Sequence, residues 1–251
     1  MKSCVIAYSG GLDSTFLIKV AYDVLGKNAF AVTATSSTFP QRELRDAKRF
    51  AKTIGILHVV IHSQELDISR FIENPPNRCY YCKKALFRKI VQIAKNRGFD
   101  VVCDGSNADD TADYRPGEKA KIELGIRSPL REAGLSKQDI RKLSESMHLK
   151  SFDKPAFACL ASRFPYGVKI TKKRLAQVES AEDFLFTLGI RQCRVRYHEV
   201  IARIEVTKED FPVVLRNATR IIKRFKELGF TYITLDLEGY RTGSLNEVLV
   251  Q

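Results

Sequence analysis

Several familiar signatures are missing from this sequence of 251 residues. No apolar run approaches the roughly 20 residues that cross a bilayer, and the chain enters its first apolar run at Cys4, so neither a membrane segment nor a secretory leader is expected. The expected compartment is the cytoplasm, where six cysteines serve as thiols or metal ligands rather than as a disulfide framework. Four histidines occur, none in a motif, and no Ser/His/Asp set or paired carboxylates announces nucleophilic or acid–base catalysis. Neither the phosphate-binding G-x-x-x-x-G-K-[ST] pattern nor the dinucleotide G-x-G-x-x-G pattern is present. The net charge of +13 is spread over both halves without a polybasic tail. That charge would suit a nucleic acid, a phosphorylated small molecule or a basic solvated surface, but with no RNA-binding motif and no aromatic stacking platform in the C-terminal part, nucleic acid is not the expected partner.

What is present begins with Ser9-Gly10-Gly11-Leu12-Asp13-Ser14. Residues 4–8 read as a buried strand, and from Thr15 the apolar positions Phe16, Leu17, Val20, Ala21, Val24 and Leu25 recur at helical spacing. The six residues therefore join strand to helix. Two glycines allow a tight turn that brings backbone N–H groups to phosphate oxygens, and the Ser9 and Ser14 hydroxyls and the helix N-terminus add donors. Asp13 would repel a polyphosphate unless a cation lay between them, so it is expected to help hold Mg2+. The segment resembles the PP-loop of the N-type ATP pyrophosphatases, which cleave ATP between its α and β phosphates.

Strand-like runs at 4–8, 29–35, 58–62 and 101–104 alternate with helical patterns, as a doubly wound parallel sheet requires. One helix is expected over 41–53, with Leu44, Ala47, Ala51 and Ile54 on one side, and another from near Cys82 to Gly98. Ser136 and Asp139 form a capping-box pattern for a third, with Ile140, Leu143 and Met147 facing inward. After about residue 163 the order becomes helix 171–188, strand 192–198, strand 201–206, helix 211–228 and strand 232–237. The expectation is an α/β PP-loop domain over 1–163 and a smaller α/β domain with a short antiparallel sheet over 164–251, serving substrate binding or self-association into a homo-oligomer. Alternation puts Arg194, Arg196 and His198 on one side of a strand and Cys193, Val195 and Tyr197 on the other. The two arginines suit one phosphate or carboxylate, or else a basic surface strand.

Cys79-Tyr80-Tyr81-Cys82 places a C-x-x-C at the mouth of a helix, where the local potential favours thiolates. The pair fits a redox couple, half of a zinc site completed by His58 or His62, or part of an iron–sulfur site; Lys83 in place of His excludes haem attachment. Cys4, Cys103 and Cys193 lie in expected strands and read as small buried hydrophobes. Cys159, in Ala158-Cys159-Leu160-Ala161-Ser162-Arg163 between the two expected domains, is the third candidate ligand. Three cysteines on a [4Fe-4S] cluster leave one iron open to sulfide or substrate sulfur.

The loop, Asn77-Arg78-Cys79-Tyr80-Tyr81-Cys82-Lys83, Gly105-Ser106-Asn107-Ala108-Asp109-Asp110, Ser128-Pro129-Leu130-Arg131-Glu132-Ala133-Gly134 and Cys159-Leu160-Ala161-Ser162-Arg163 together resemble the LarE-type ATP-dependent sulfur transferases across nearly the whole chain. The resemblance implies adenylation of carboxylates of pyridinium-3,5-biscarboxylic acid mononucleotide and their conversion to thiocarboxylates in nickel-pincer nucleotide synthesis. It implies that Ser9, Gly10, Gly11, Asp13 and Ser14 hold ATP and Mg2+, with Gly105, Ser106 and Asn107 beside the adenylate. Cys159 corresponds to the sulfur-donor cysteine, and Glu182 (or Asp183), Arg194 and Arg196, with Ser162 and Arg163, to the substrate end. Some members sacrifice one cysteine thiol; Cys79 and Cys82 point instead to the three-cysteine members and a [4Fe-4S] cluster on Cys79, Cys82 and Cys159. A PP-loop tRNA thiolase shares the loop and can share the cysteines, an amide-forming ligase leaves the thiols unused, and a nucleotide sensor would keep the fold without pyrophosphate release.

Overall fold

Successive residues of a strand point to opposite faces, and the first apolar run fills both. In the computed structural model, which describes residues 1–111 and 116–249, β1 (Cys4–Ala7), β2 (Ala29–Thr35), β3 (Leu57–His62) and β4 (Val101–Cys103) form a parallel sheet in the order β3-β2-β1-β4. Between and after them come α1 (Leu12–Leu25), α2 (Gln41–Ile54), α3 (Ser69–Ile72), α4 (Arg78–Asn96), α5 (Gly117–Glu123), α6 (Pro129–Glu132) and α7 (Lys137–Ser146). Cys4, Ile6, Ala29, Ala31 and Cys103 pack with Leu17 of α1, Ala47 and Ala51 of α2 and Ile140 of α7. Their neighbours Val5, Phe30, Val32 and Val102 pack on the other face with Phe87, Ile90 and Ala94 of α4. The sheet is doubly wound, as its sequence pattern implied, and Cys4, Cys103 and Cys193 are all buried.

Three local expectations change. Leu143 is 40% exposed while Ser144 is fully buried, because α7 turns its 140, 144 and 147 positions inward and a small hydroxyl takes the place expected for leucine. Val24 is 75% exposed and borders an open apolar groove with Met1 and Val20. Helix α4 starts at Arg78 rather than near Cys82, so both Cys79 and Cys82 lie within it, and it stops where Gly98 turns left-handed at φ +69°.

The chain groups into two units, Met1–Phe71 with Asn77–Phe157, and Ile72–Pro76 with the described chain from Ala158 onward. The second contains α8 (Lys172–Thr187), β5 (Cys193–His198), β6 (Ile201–Val206), α9 (Phe211–Arg216), α10 (Ala218–Glu227) and β7 (Tyr232–Leu235). Strands β5 and β6 are antiparallel, but β7 pairs with β6 in parallel, so the small sheet is mixed rather than antiparallel. The helices between β6 and β7 supply the crossover that parallel pairing needs. The single helix expected over 211–228 breaks at Asn217, whose side chain donates to the Val213 carbonyl at 2.9 Å and competes with the helical ladder. No helix among the described residues is long and apolar enough to cross a membrane.

Candidate functional site

Ligands of open parallel sheets sit outside the carboxyl ends of the strands where the order reverses, here between β1 and β4. A pocket of about 280 Å³ lies there, lined by Ser9, Gly11, Leu12, Asp13 and Ser14 after β1, by Asp104, Gly105 and Ser106 after β4, and by Lys83, Lys137 and Lys154. Ala7, Phe87, Pro155, Ala156 and Phe157 give it an apolar side, with Phe157 edge-on to Phe39 at 5.6 Å. Helix α1 is preceded by Gly11, which offers no capping side chain. Its first N–H groups are consequently left for an anion. The loop is held by its own hydroxyls: Ser9 Oγ and Ser14 Oγ are 3.1 Å apart, and Ser14 Oγ donates to the Gly11 carbonyl at 3.3 Å. Gly10 has φ +74°, and a Cβ there would lie 2.9 Å from that of Ala47; one on Gly105 would lie 2.9 Å from the Ser14 nitrogen. Both glycines are thus required by close approach.

Asp13 carries an orphaned atom, its buried Oδ1, for which no hydrogen-bond partner is found among the described residues. Burial pushes its carboxyl above the usual range, and the Lys137 charge and a hydrogen bond with Asn107 offset only part of this. A buried carboxylate oxygen facing a phosphate-binding loop fits a bound divalent cation.

The Gly105-Ser106-Asn107 turn rests on a buried polar network. Lys121 Nζ donates to Asp104 Oδ2 at 2.8 Å and Ser106 Oγ at 2.7 Å and pairs with Glu118 at 2.7 Å. Ser128 Oγ donates to Asp104 Oδ1 at 2.6 Å, and Ser106 Oγ donates to Asp104 Oδ2 at 2.8 Å. Burial works against ionisation of Asp104, but Lys121, Ser128 and Ser106 outweigh it and hold the carboxyl below its ordinary value. None of the supporting lysines belongs to a sequence motif singled out for the pocket except Lys83, which follows the C-x-x-C.

In the second unit, Glu182 is fully buried and grips the equally buried Arg163 through two bonds of 2.8 and 3.0 Å. Its Oε1 also accepts from the Val195 N–H at 3.0 Å. Arg163 further donates to the Ala158 carbonyl at 2.8 Å and to Ser162 Oγ at 2.9 Å. Burial opposes its charge, yet Glu182 holds the guanidinium above its usual value. Arg194 and Arg196 do share a strand face, but their guanidinium forks do not converge as a pair. Arg196 directs its fork at Glu205, at 2.9 and 2.8 Å, and donates to the Ser162 carbonyl at 2.7 Å. Arg194 lies over the Tyr240 ring at 5.2 Å and donates to the Cys193 carbonyl; burial and then the Arg163 charge lower its affinity for its proton. A cleft formed by Arg163, Arg196, His198, Arg203 and Ser244 opens beside them. Glu205 was missed in the sequence, although Arg203 and Glu205 alternate on β6 in register with β5.

Cys79 is exposed, and Cys82 and Cys159 are partly buried. Three residues apart in the opening turns of α4, Cys79 and Cys82 are neighbours on its surface. Cys82 Sγ lies 4.0 Å from Glu65 Oε1. Cys159 precedes the short turn Leu160–Arg163 in the other unit. Among the described residues no group of three or more His, Cys, Asp or Glu side chains is gathered to hold a metal. The donor chemistry of three thiols nevertheless fits an iron–sulfur cluster.

A family model described as NAD synthase matches residues 1–86. The chain is 46% identical to an uncharacterised protein of Synechocystis, over 100% of this chain and 94% of that protein. It is 39% identical to the pyridinium-3,5-bisthiocarboxylic acid mononucleotide synthase of Lactiplantibacillus plantarum, over 100% of this chain and 91% of that one. Similarity to the tRNA-specific 2-thiouridylase MnmA of Rickettsia peacockii is lower, 28% identity over 61% of this chain and 52% of that protein. With the loop, the sheet order and full-length similarity in agreement, the chain belongs to the LarE-type family of ATP-dependent sulfur transferases.

Proposed function

We propose that this enzyme adenylates carboxylates of pyridinium-3,5-biscarboxylic acid mononucleotide with Mg2+-ATP and converts them to thiocarboxylates, a cytoplasmic step toward a nickel-pincer nucleotide. The observation that carries this reading is the orphaned Asp13 oxygen in a pocket built from the PP-loop; the substrate follows the name of the 39% identical relative. A substrate carboxylate oxygen attacks the α phosphorus, the α–β bridging bond breaks, and pyrophosphate leaves. Ser9, Gly10, Gly11, Ser14 and the start of α1 stabilise the departing charge, with Asp13 holding the cation. Gly105, Ser106 and Asn107 flank the adenylate. Hydrosulfide sulfur then bonds to the acyl carbon, AMP departs with the former C–O bonding pair, and the thiol proton goes to water. These steps depend on positioning and charge neutralisation rather than on a side-chain base. The second-unit cleft of Arg163, Arg196, His198 and Arg203, with Arg194 and Ser162 beside it, takes the nucleotide phosphate of the substrate.

The three thiols of Cys79, Cys82 and Cys159 are proposed to hold a [4Fe-4S] cluster, which would supply an open iron for exogenous sulfide. Protein purified without oxygen is expected to carry about four irons per chain, and Cys79→Ala or Cys159→Ala to lose most of them. Pyrophosphate release is expected to require the dicarboxylate nucleotide. Iron-free protein with full multiple-turnover activity would overturn the cluster, and release driven equally by tRNA or by an amine acceptor would overturn the substrate.

A further inference from the structure

The PP-loop lacks a lysine of its own, yet a cation reaches it from 144 residues away. Lys154 Nζ donates to the Gly10 carbonyl at 3.1 Å and pairs with Glu43 at 2.8 Å and Asp46 at 3.1 Å, both on α2. Its side chain is 11% exposed and its ammonium lies 5.6 Å above the Phe50 ring. The Gly10 carbonyl takes a hydrogen bond from the ammonium, and the two carboxylates lie within ion-pair distance of it. Two carboxylates also balance its charge. Lys154 is therefore built to hold the protein, not to receive a phosphate, although it borders the phosphate pocket.

What it holds is the peptide that matters most in the loop. Carbonyl and N–H point in opposite directions across a trans peptide, so fixing the Gly10 oxygen fixes the direction of the Gly11 N–H. That N–H reaches a long, 3.4 Å contact with Ser9 Oγ, which an arriving phosphate oxygen can replace. Gly10 itself sits at φ +74° with no space for a side chain against Ala47, so α2 supports the turn from below while Lys154 locks its plane. We propose that Lys154 is a positioning residue that clamps the PP-loop to α2 and preorganises the Gly11 N–H for pyrophosphate.

The inference rests on the pocket being the triphosphate site, and the test separates the two ideas. Wild-type protein, Lys154→Met and the double variant Glu43→Gln/Asp46→Asn are titrated calorimetrically with Mg2+-pyrophosphate, Mg2+-ATP and adenosine, with circular dichroism as a check on folding. Lys154→Met is expected to bind pyrophosphate and ATP about tenfold more weakly and adenosine as the wild type does. The double variant retains the Gly10 bond and is expected to stay within about threefold of wild type for all three ligands. Wild-type protein that binds neither ATP nor pyrophosphate would remove the site itself. Unchanged pyrophosphate affinity in Lys154→Met, or equal losses for pyrophosphate and adenosine, would overturn the clamp. If Lys154→Met does not fold, a tenfold loss of pyrophosphate affinity in the folded double variant overturns it as well, because the carboxylates rather than the Gly10 bond would then set the loop.

Discussion

Asp13 is a buried carboxyl in the lining of the PP-loop pocket. Its carboxyl is pushed above the ordinary range chiefly by burial, so it is harder to ionise in the folded chain than in the unfolded one, where the value is about 3.9. The stability it contributes is present below that unfolded value and is lost as pH rises through the higher folded value. At neutral pH the folded chain therefore bears the cost of a buried charge that Lys137 and Asn107 offset only in part. Asp13→Asn is expected to raise the melting temperature of the apoprotein by about 2–4 °C, the shift that ~1 kcal/mol gives in a chain of this size. The same variant should lose the further stabilisation that Mg2+-ATP gives the wild type. Differential scanning calorimetry at pH 7 with and without Mg2+-ATP reads both effects, and a destabilised apo variant would show that Asp13 is a structural carboxylate. Asp13 stood out in the sequence because a carboxylate amid phosphate donors is chemically odd. Lys121 and Lys154 did not, since no local pattern reveals that a lysine will be surrounded by Asp104, Ser106 and Glu118 or by Gly10, Glu43 and Asp46 after folding.

Elements followed their periodicity where a single face is buried and departed from it where polar side chains intervene. The parallel sheet and its flanking helices were readable from alternating runs, and so was the capping box of α7, in which Ser136 and Asp139 bond reciprocally as expected. Less visible were the break at Asn217 and the parallel pairing of β7, because one depends on a side-chain amide and the other on how a crossover packs. The α8–β5 contact is the clearest case of a residue read for chemistry that the fold uses to join elements. Glu182 of α8 bonds both Arg163 and the β5 backbone at Val195, and its side chain has no exposure to solvent. Removing one partner of such a pair leaves a buried charge, a cost of about 3–5 kcal/mol. Glu182→Ala is accordingly expected to lower unfolding stability by that amount in urea titrations. ATP binding to the folded fraction should remain, since the pocket residues all belong to the other unit. Normal stability with abolished turnover would move Glu182 into the reaction itself.

For the molecule as a whole, charge is the property that most invites a different reading. A net +13 attracts any polyanion, and distant relatives act on tRNA, as the name of MnmA states. Attraction of that kind comes from releasing counterions condensed on the nucleic acid, so its affinity falls steeply with salt and carries no selection among sequences. A substrate site differs in holding its ligand through fixed geometry. The pocket at the PP-loop gathers donors suited to a compact anion, whereas in the second-unit cleft Arg163 and Arg196 are paired with Glu182 and Glu205. We expect tRNA to bind in about 20 mM salt and to be released by about 200 mM, with no tRNA-dependent pyrophosphate at either concentration. Pyrophosphate release supported by the dicarboxylate nucleotide should persist at the higher salt, because a ligand enclosed by oriented donors is screened far less than one held across an open surface. Filter binding and a coupled pyrophosphate assay run in parallel decide the matter. Release stimulated by tRNA at 200 mM salt would make the basic surface part of a substrate site and return this chain to the tRNA thiolases.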